Sequence, residues 1–258
     1  MLPLALSGLA TTAGLMFAAW LMSIPLRNVA IVDVFWSLAV AGAGLTWLVQ
    51  AWVLQAEASP RGGLAVLLAV LWAARLALHI FWRARGRPED RRYREIRARN
   101  EPGFAYKSLY LVFGLQALLA WVIAMPLFGA TLDPRPLGTL DAGAALLWLA
   151  GFLLQAIADF QMARFQRGPA AENAVMDRGL WRYSRHPNYF GEALMWWSLW
   201  LIAAAGGAWW TGIGPLLLTV LLLKVSGVAL TEKDIANRRP KYRDYIRRTS
   251  AFVPLPPR

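Results

Sequence analysis

Apolar residues run along the chain in blocks close to the roughly 20 residues that an α-helix needs to cross a bilayer, at about 4–26, 29–54, 63–82, 107–131, 141–164, 189–211 and 213–231. Seven such blocks predict an all-α integral membrane protein, a bundle of seven transmembrane helices. Pro25, Pro126 and the pair Gly206 and Gly207 interrupt them, which neighbouring helices in a bundle tolerate. The last two blocks are joined by almost nothing. They predict a tight helical hairpin whose tip carries Trp209 and Trp210 at the membrane interface.

Between the blocks, Lys and Arg gather at Arg27, from Arg83 to Lys107, from Arg164 to Arg185 and from Lys233 to Arg258, while Arg61 and Arg135 fall on the other side. Positive charge stays in the cytoplasm, so the N-terminus is expected outside and the C-terminus inside. The first block has no basic n-region and no small-residue cleavage pattern and reads as a retained helix. No repeat or second domain is visible. The chain reads as one membrane domain, 1–258, in which 1–130 holds helices 1–4 and a basic cytoplasmic loop and 140–258 forms the rest. The segment "RARGRPEDRRYREIRARN" (83–100) reads as a short amphipathic helix, an ordered loop, or a polybasic run that binds lipid headgroups. In the tail, Tyr242 and Tyr245 among arginines suggest order.

Composition agrees: 58% of residues are hydrophobic and 14 are tryptophan. A net charge of +12 raises the possibility of nucleic acid, but the basic residues lie between hydrophobic spans rather than on a surface that tracks a phosphate backbone. With no cysteine and only His79 and His186, disulfides, thiolate catalysis, cysteine-ligated metals and a histidine-rich metal site are excluded. "GAGLTW" at Gly42 starts like a dinucleotide loop, yet Trp47 stands at the third glycine position. P-loop, HExxH and GxSxG patterns are absent too. Any nucleotide must therefore be held by the helical bundle itself.

Ionisable groups inside spans cost on the order of 2.5 to 3.5 kcal/mol each and default to functional hypotheses. Asp33, Arg75, His79, Asp159, Glu192 and Lys224 are of this kind, each roughly 4 to 15 Å inward from the cytoplasmic end of its helix. They imply one polar cavity open to the cytoplasm. Gln155 and Asp159, and likewise Asn188 and Glu192, are four apart and share a helical face. A stacked amide and carboxylate suit a ligand rich in hydroxyls and amides, such as a ribose or a nicotinamide carboxamide. Arg164, Arg167, Arg178, Arg182 and Arg185 form a ring of guanidiniums suited to phosphate. The competing reading makes Asp33–Arg75 and Glu192–Lys224 buried ion pairs that only fix helix register.

The stretch "GLWRYSRHPNYFGE" (179–192), with Gln155 and Asp159 upstream and "YRDYIRRTSAFVP" near the end, resembles the C-terminal domain of the steroid 5α-reductase family, including its bacterial branch. The similarity covers about 140–258 and is weaker over 1–130, where "RGRPEDRRY" looks like the family's basic loop after helix 3. The resemblance implies a seven-helix protein of the bacterial inner membrane that binds NADPH inside the bundle. It implies reduction of a carbon–carbon double bond conjugated to a carbonyl, in a lipophilic steroid-like or isoprenoid-like substrate entering from the bilayer. Asn188 and Glu192 would hold the nicotinamide end, and Gln155 and Asp159 the amide and ribose region. Arg164, Arg167, Arg185, Arg238 and the loop with Arg85, Asp90 and Tyr93 would surround the phosphates and adenosine. Tyr183, His186, Tyr189 and Tyr242 complete the implied cofactor set.

In steroid reductases a Gln-Glu pair on helix 2 and a Tyr on helix 3 activate the ketone. Here helix 2 offers Val32 and Asp33, and helix 3 offers Trp72, Arg75 and His79, with no aligned tyrosine. Asp33 can donate to a developing oxyanion only when protonated. If it touches Arg75, Arg75 becomes the electrophile and Asp33 its orienting partner. Membrane methyltransferases of the isoprenylcysteine and phospholipid type carry a similar "RHPxY…E" segment that grips S-adenosylmethionine. A non-catalytic lipid-binding protein is the third reading.

Overall fold

The computed structural model describes residues 1–55, 59–168, 174–233, 235 and 240–258. The helices are α1 (Leu2–Leu26), α2 (Val32–Gln55), α3 (Pro60–Ala84), α4 (Arg91–Asn100), α5 (Phe104–Ile123), α6 (Met125–Thr131), α7 (Thr139–Gln166), α8 (Pro187–Ala205), α9 (Trp209–Glu232) and α10 (Tyr242–Arg248). Among the described residues there is no β-strand, only an isolated parallel bridge between Ser184 and Ser250. Helices satisfy their own backbone groups, which hydrocarbon cannot do for them.

Among the described residues, six helices are long and apolar enough to cross a membrane: α1, Val29–Leu54, α3, α5, α7 and α9. The protein is a multi-pass membrane protein. Its helices carry apolar side chains outward, among them Leu78, Phe160, Trp52 and Leu67. Water would disfavour such faces and lipid accepts them. The expected count of seven is not reached by this measure. The block 189–211 forms α8, of 19 residues, whose first turns carry Asn188 and Glu192 and whose middle carries Trp196, Trp197 and Trp200 in place of aliphatic residues. The block 107–131 also differs, because the chain breaks at Ala124. Pro126, second in α6, has no N–H to continue the α5 ladder.

Two compact units divide the chain, one of residues 1–138 and 202–214, the other of 139–201 and 215–258. In the first, α1 and α2 form a hairpin closed by Trp47, fully buried against Gly8, whose indole N–H donates to the Leu4 carbonyl at 2.8 Å. Ser59 starts α3: its hydroxyl accepts from the Gly62 N–H at 3.0 Å and bonds the carbonyls of Ala130 and Asp133. Beside it, buried Arg61 pairs with buried Asp133, which also takes a fork from Arg135 at 2.9 and 3.0 Å. The turn after α8 is tight as expected, with Trp209 72% and Trp210 41% exposed.

Candidate functional site

In the second unit, the stretch before α8 is fastened to α7. Gly179, at φ 60, turns the chain over Gln161, and the next N–H, of Leu180, donates to Gln161 Oε1 at 3.1 Å. The Trp181 indole donates to the Ala158 carbonyl at 3.1 Å. Ser184 Oγ accepts from the His186 N–H at 3.1 Å, and Pro187, with its fixed φ, opens α8.

These anchors align α7 and α8 so that the two intrahelical pairs become cross-helix rungs. Gln155 Nε2 donates to Glu192 Oε2 at 2.5 Å, and Asn188 Nδ2 to Asp159 Oδ1 at 3.1 Å. Gln155 and Glu192 are buried, 2% and 7% exposed. The orientation of Asn188 follows from its partner, since a carboxylate only accepts and the amide must turn its NH2 toward it. Its Oδ1 is consequently left enclosed, with no hydrogen-bond partner among the described residues. A buried acceptor in that state is rare and calls for an explanation.

Arg185 has a different place from the other arginines of the expected ring. Arg164, Arg167, Arg178 and Arg182 are exposed. Arg185 is buried and forks onto Glu232 at 2.8 and 3.0 Å, with a further N–H on the Thr249 carbonyl at 2.6 Å. His186 Nε2 lies 2.9 Å from the same Glu232, its ring stacked on Tyr189 at 5.2 Å. Arg185 and His186 thus tie the start of α8 to α9 and to the tail. The tail returns along 183–185, where the Leu255 N–H donates to the Tyr183 carbonyl at 2.9 Å and the Arg185 N–H to that of Ser250 at 2.8 Å. Tyr245, edge-on to buried Tyr242 at 5.3 Å, donates to the Trp181 carbonyl. Burial, with Tyr242 adding to it, pushes the Tyr245 phenol up. Arg238 lies outside the described residues.

In the first unit, the basic stretch after α3 is an ordered helix. Asp90 caps α4 by accepting from the Arg92 N–H at 2.9 Å, and α4 turns Arg92 and Tyr93 onto α2. Asp33 accepts from Arg92 Nη2 at 2.9 Å on one oxygen and from the Tyr93 hydroxyl on the other. Sequence placed Asp33 with Arg75; the contacts made by its carboxylate oxygens are with α4. The antiparallel register of α2 and α3 still brings Asp33 and Arg75 to one level. Ser37 Oγ meets the Ala73 carbonyl at 3.3 Å, and Trp36 meets Trp72 edge-on at 5.9 Å, so one turn along each helix puts residue 33 opposite residue 75. A second clamp is Glu89, which takes a fork from Arg97 at 2.9 and 3.0 Å and the Val29 N–H at 2.8 Å. Arg85 is exposed at the end of α3.

Burial alone would lower the Arg92 pKa, but the Asp33 charge and the hydrogen bond to Asp90, helped by the charges of Tyr93 and Asp90, together outweigh it and push the guanidinium up. Burial, reinforced by Asp33, pushes the Tyr93 phenol up. Burial would raise Asp90, and hydrogen bonds from Arg92 bring it below the usual carboxylate range. Glu89, Arg92, Arg97, Gln161, Glu232 and Tyr245 were not singled out for these contacts in the sequence. Asp90 before a basic run is a cap signal that points to α4. Nothing local marks Glu232 as the partner of a residue on another helix.

A family described as "Protein of unknown function (DUF1295)" matches residues 19–249. Among curated proteins, an uncharacterized protein of Schizosaccharomyces pombe is 27% identical over 264 residues, which cover 91% of this chain and 75% of the relative. No solved structure matches the chain.

Proposed function

The chain belongs to the DUF1295 family, and we propose that it is a membrane oxidoreductase that uses NADPH to reduce a carbon–carbon double bond conjugated to a carbonyl in a lipophilic substrate. The observation that carries this reading is the pair of rungs between α7 and α8 with the Asn188 oxygen left over. A carboxamide NH2 or a ribose hydroxyl is the donor that such an acceptor needs. Two carboxylates and two amides at successive turns fit both groups of a nicotinamide riboside. The exposed guanidiniums of Arg164, Arg167, Arg178 and Arg182 suit phosphates, which S-adenosylmethionine lacks.

When bound, NADPH supplies a hydride for the β-carbon of the enone, the α-carbon takes up a proton, and the products are NADP+ and the saturated ketone. Gln155, Asp159, Asn188 and Glu192 orient the reducing end. Arg75 is proposed as the electrophile at the carbonyl oxygen, where charge builds up in the transition state. Asp33, which takes hydrogen bonds from Arg92 and Tyr93, is a positioning acceptor in this scheme and not an acid. The substrate enters from the bilayer.

The same reading makes α8 a seventh span. Its polar first turns are neutralised by partners on α7 and α9, so hydropathy understates its fitness for a membrane. It places the N-terminus outside and the C-terminus in the cytoplasm of a bacterial inner membrane.

The test is thermal unfolding of the purified protein in detergent with NADPH or with S-adenosylmethionine. At a ligand concentration 100 times Kd, linkage adds about 2.7 kcal/mol, a shift of several degrees. Stabilisation by S-adenosylmethionine alone would move the reaction to methyl transfer on isoprenylcysteine or phospholipid. A response to neither would favour a non-catalytic lipid-binding protein.

A further inference from the structure

Five indoles of this chain donate to an acceptor. Trp20 donates to the Ala105 carbonyl at 2.8 Å, Trp121 to that of Ala5 at 2.8 Å, and Trp197 to Thr219 Oγ1 at 3.1 Å, as Trp47 and Trp181 do to carbonyls described above. Trp36 is not among these five. Its Nε1 is enclosed by protein and has no acceptor among the described residues. An N–H held out of water and left without a partner carries a penalty that a ligand oxygen would remove.

Its surroundings indicate what kind of ligand. Trp36 lies on α2 three residues after Asp33, and its ring is held edge-on by Trp72 of α3, itself three residues before Arg75. Asp33, Trp36, Trp72 and Arg75 therefore occupy two adjacent levels of one helix pair. Two large apolar rings whose polar atoms are indole N–H donors suit a hydrophobic skeleton that carries an oxygen acceptor. The Trp148 indole is likewise without a partner among the described residues. That ring is stacked on Phe152 at 5.0 Å, within α7, and it serves as a control.

We infer that Trp36 hydrogen-bonds the carbonyl oxygen of the lipophilic substrate through its indole N–H and so selects ketones over hydrocarbons of the same shape. The inference rests on the reductase reading, and the two fail separately. A neutral hydrogen bond to a single oxygen corresponds to a preference of roughly threefold to tenfold.

The experiment measures equilibrium binding of a lipophilic bicyclic enone and of the analogue carrying CH2 in place of C=O, to the full chain in nanodiscs. The wild type is expected to prefer the enone by roughly tenfold. Trp36→Phe should reduce the preference by roughly threefold to tenfold, Trp148→Phe should leave it unchanged, and both variants should keep the NADPH-dependent thermal shift. Benzothienylalanine at position 36, which keeps the bicyclic shape and lacks the N–H, repeats the test if Phe does not give folded protein. An undiminished preference without the N–H, or the absence of any preference in the wild type, overturns the role of Trp36. Loss of the NADPH shift in the wild type overturns the reductase reading instead.

Discussion

Gly151 and Gly191 meet backbone to backbone: a Cβ built on Gly191 would stand 2.7 Å from the Gly151 carbonyl oxygen, and one on Gly151 would stand 2.8 Å from that of Gly191. Small residues let membrane helices approach this closely. Gln155 lies one turn along its helix from Gly151 and Glu192 directly follows Gly191, so the separation of the two backbones sets the length of the rung between them.

Gly191→Ala is therefore expected to push α8 off α7. Overpacking of this kind costs typically 1–3 kcal/mol. The effect on the site should exceed the effect on stability, because the Gln155–Glu192 bond stretches first. Thermal unfolding and NADPH titration of the variant check it. A variant that keeps wild-type values in both would show that the backbones yield without cost.

Asn188→Asp replaces the NH2 that faces Asp159 with a second carboxylate oxygen. Two like charges about 3 Å apart repel strongly in a site of low dielectric. On the proposed NADPH reading, the variant should lose nucleotide-dependent stabilisation entirely, whereas Asn188→Gln should weaken it by roughly tenfold, a loss of about 1.4 kcal/mol. NADPH-dependent thermal shifts distinguish the two.

Glu232→Gln leaves the Arg185 guanidinium, which is 8% exposed, without its carboxylate. Removing one partner of a buried pair costs about 3–5 kcal/mol, and the loss should loosen the tail as well as α8. Limited proteolysis after Arg247 and Arg248 is the readout, and cleavage should become faster than in the wild type.

Asp133 gives a pH dependence whose sign can be worked out. Hydrogen bonds from the Arg135 side chain, outweighing desolvation and helped by Arg61, hold its carboxyl below the ordinary value of 3.8. A depressed folded-state pKa means stability that is fully present above the unfolded value and lost as pH falls through the folded one. The melting temperature should therefore fall as pH drops from about 5 to 3, near the unfolded carboxylate range. Asp133→Asn should melt lower at pH 7 and show a shallower fall. Equal slopes in the two proteins would remove Asp133 from the acid transition.

Asp33→Asn removes the charge that holds Arg92 and Tyr93. The capped helix α4 should then open more often, and trypsin should cut between Arg91 and Arg99 faster than in the wild type. The Glu89–Arg97 clamp sets the limit: the double variant Asp33→Asn, Glu89→Gln should be cut faster than either single one.

Local physics made much of this chain readable. Runs of apolar residues of bilayer length mark the spans without any knowledge of neighbours. The spacings Gln155–Asp159 and Asn188–Glu192 put each pair on one face, because side chains four apart stack in any α-helix. Pro126 and Trp196, Trp197 and Trp200 mark where that reading fails. A single proline splits a span, and polar first turns with a tryptophan-rich middle leave α8 short of the hydropathy of the six spans.

Partner choice belongs to the tertiary structure. Asp33 had Arg75 on the next helix as the obvious counterion, yet its oxygens accept from Arg92 and Tyr93, since a capped helix far along the chain brings them there. Arg185, one arginine of a run, is withdrawn to Glu232, 47 residues later, while its neighbours stay exposed. Sequence alone determined which helices form and which faces are polar, because those depend on residues within a turn or two. Which polar group meets which depended on how separate helices approach, and that is set at close contacts such as Gly151 with Gly191, whose pairing no spacing along the chain reveals.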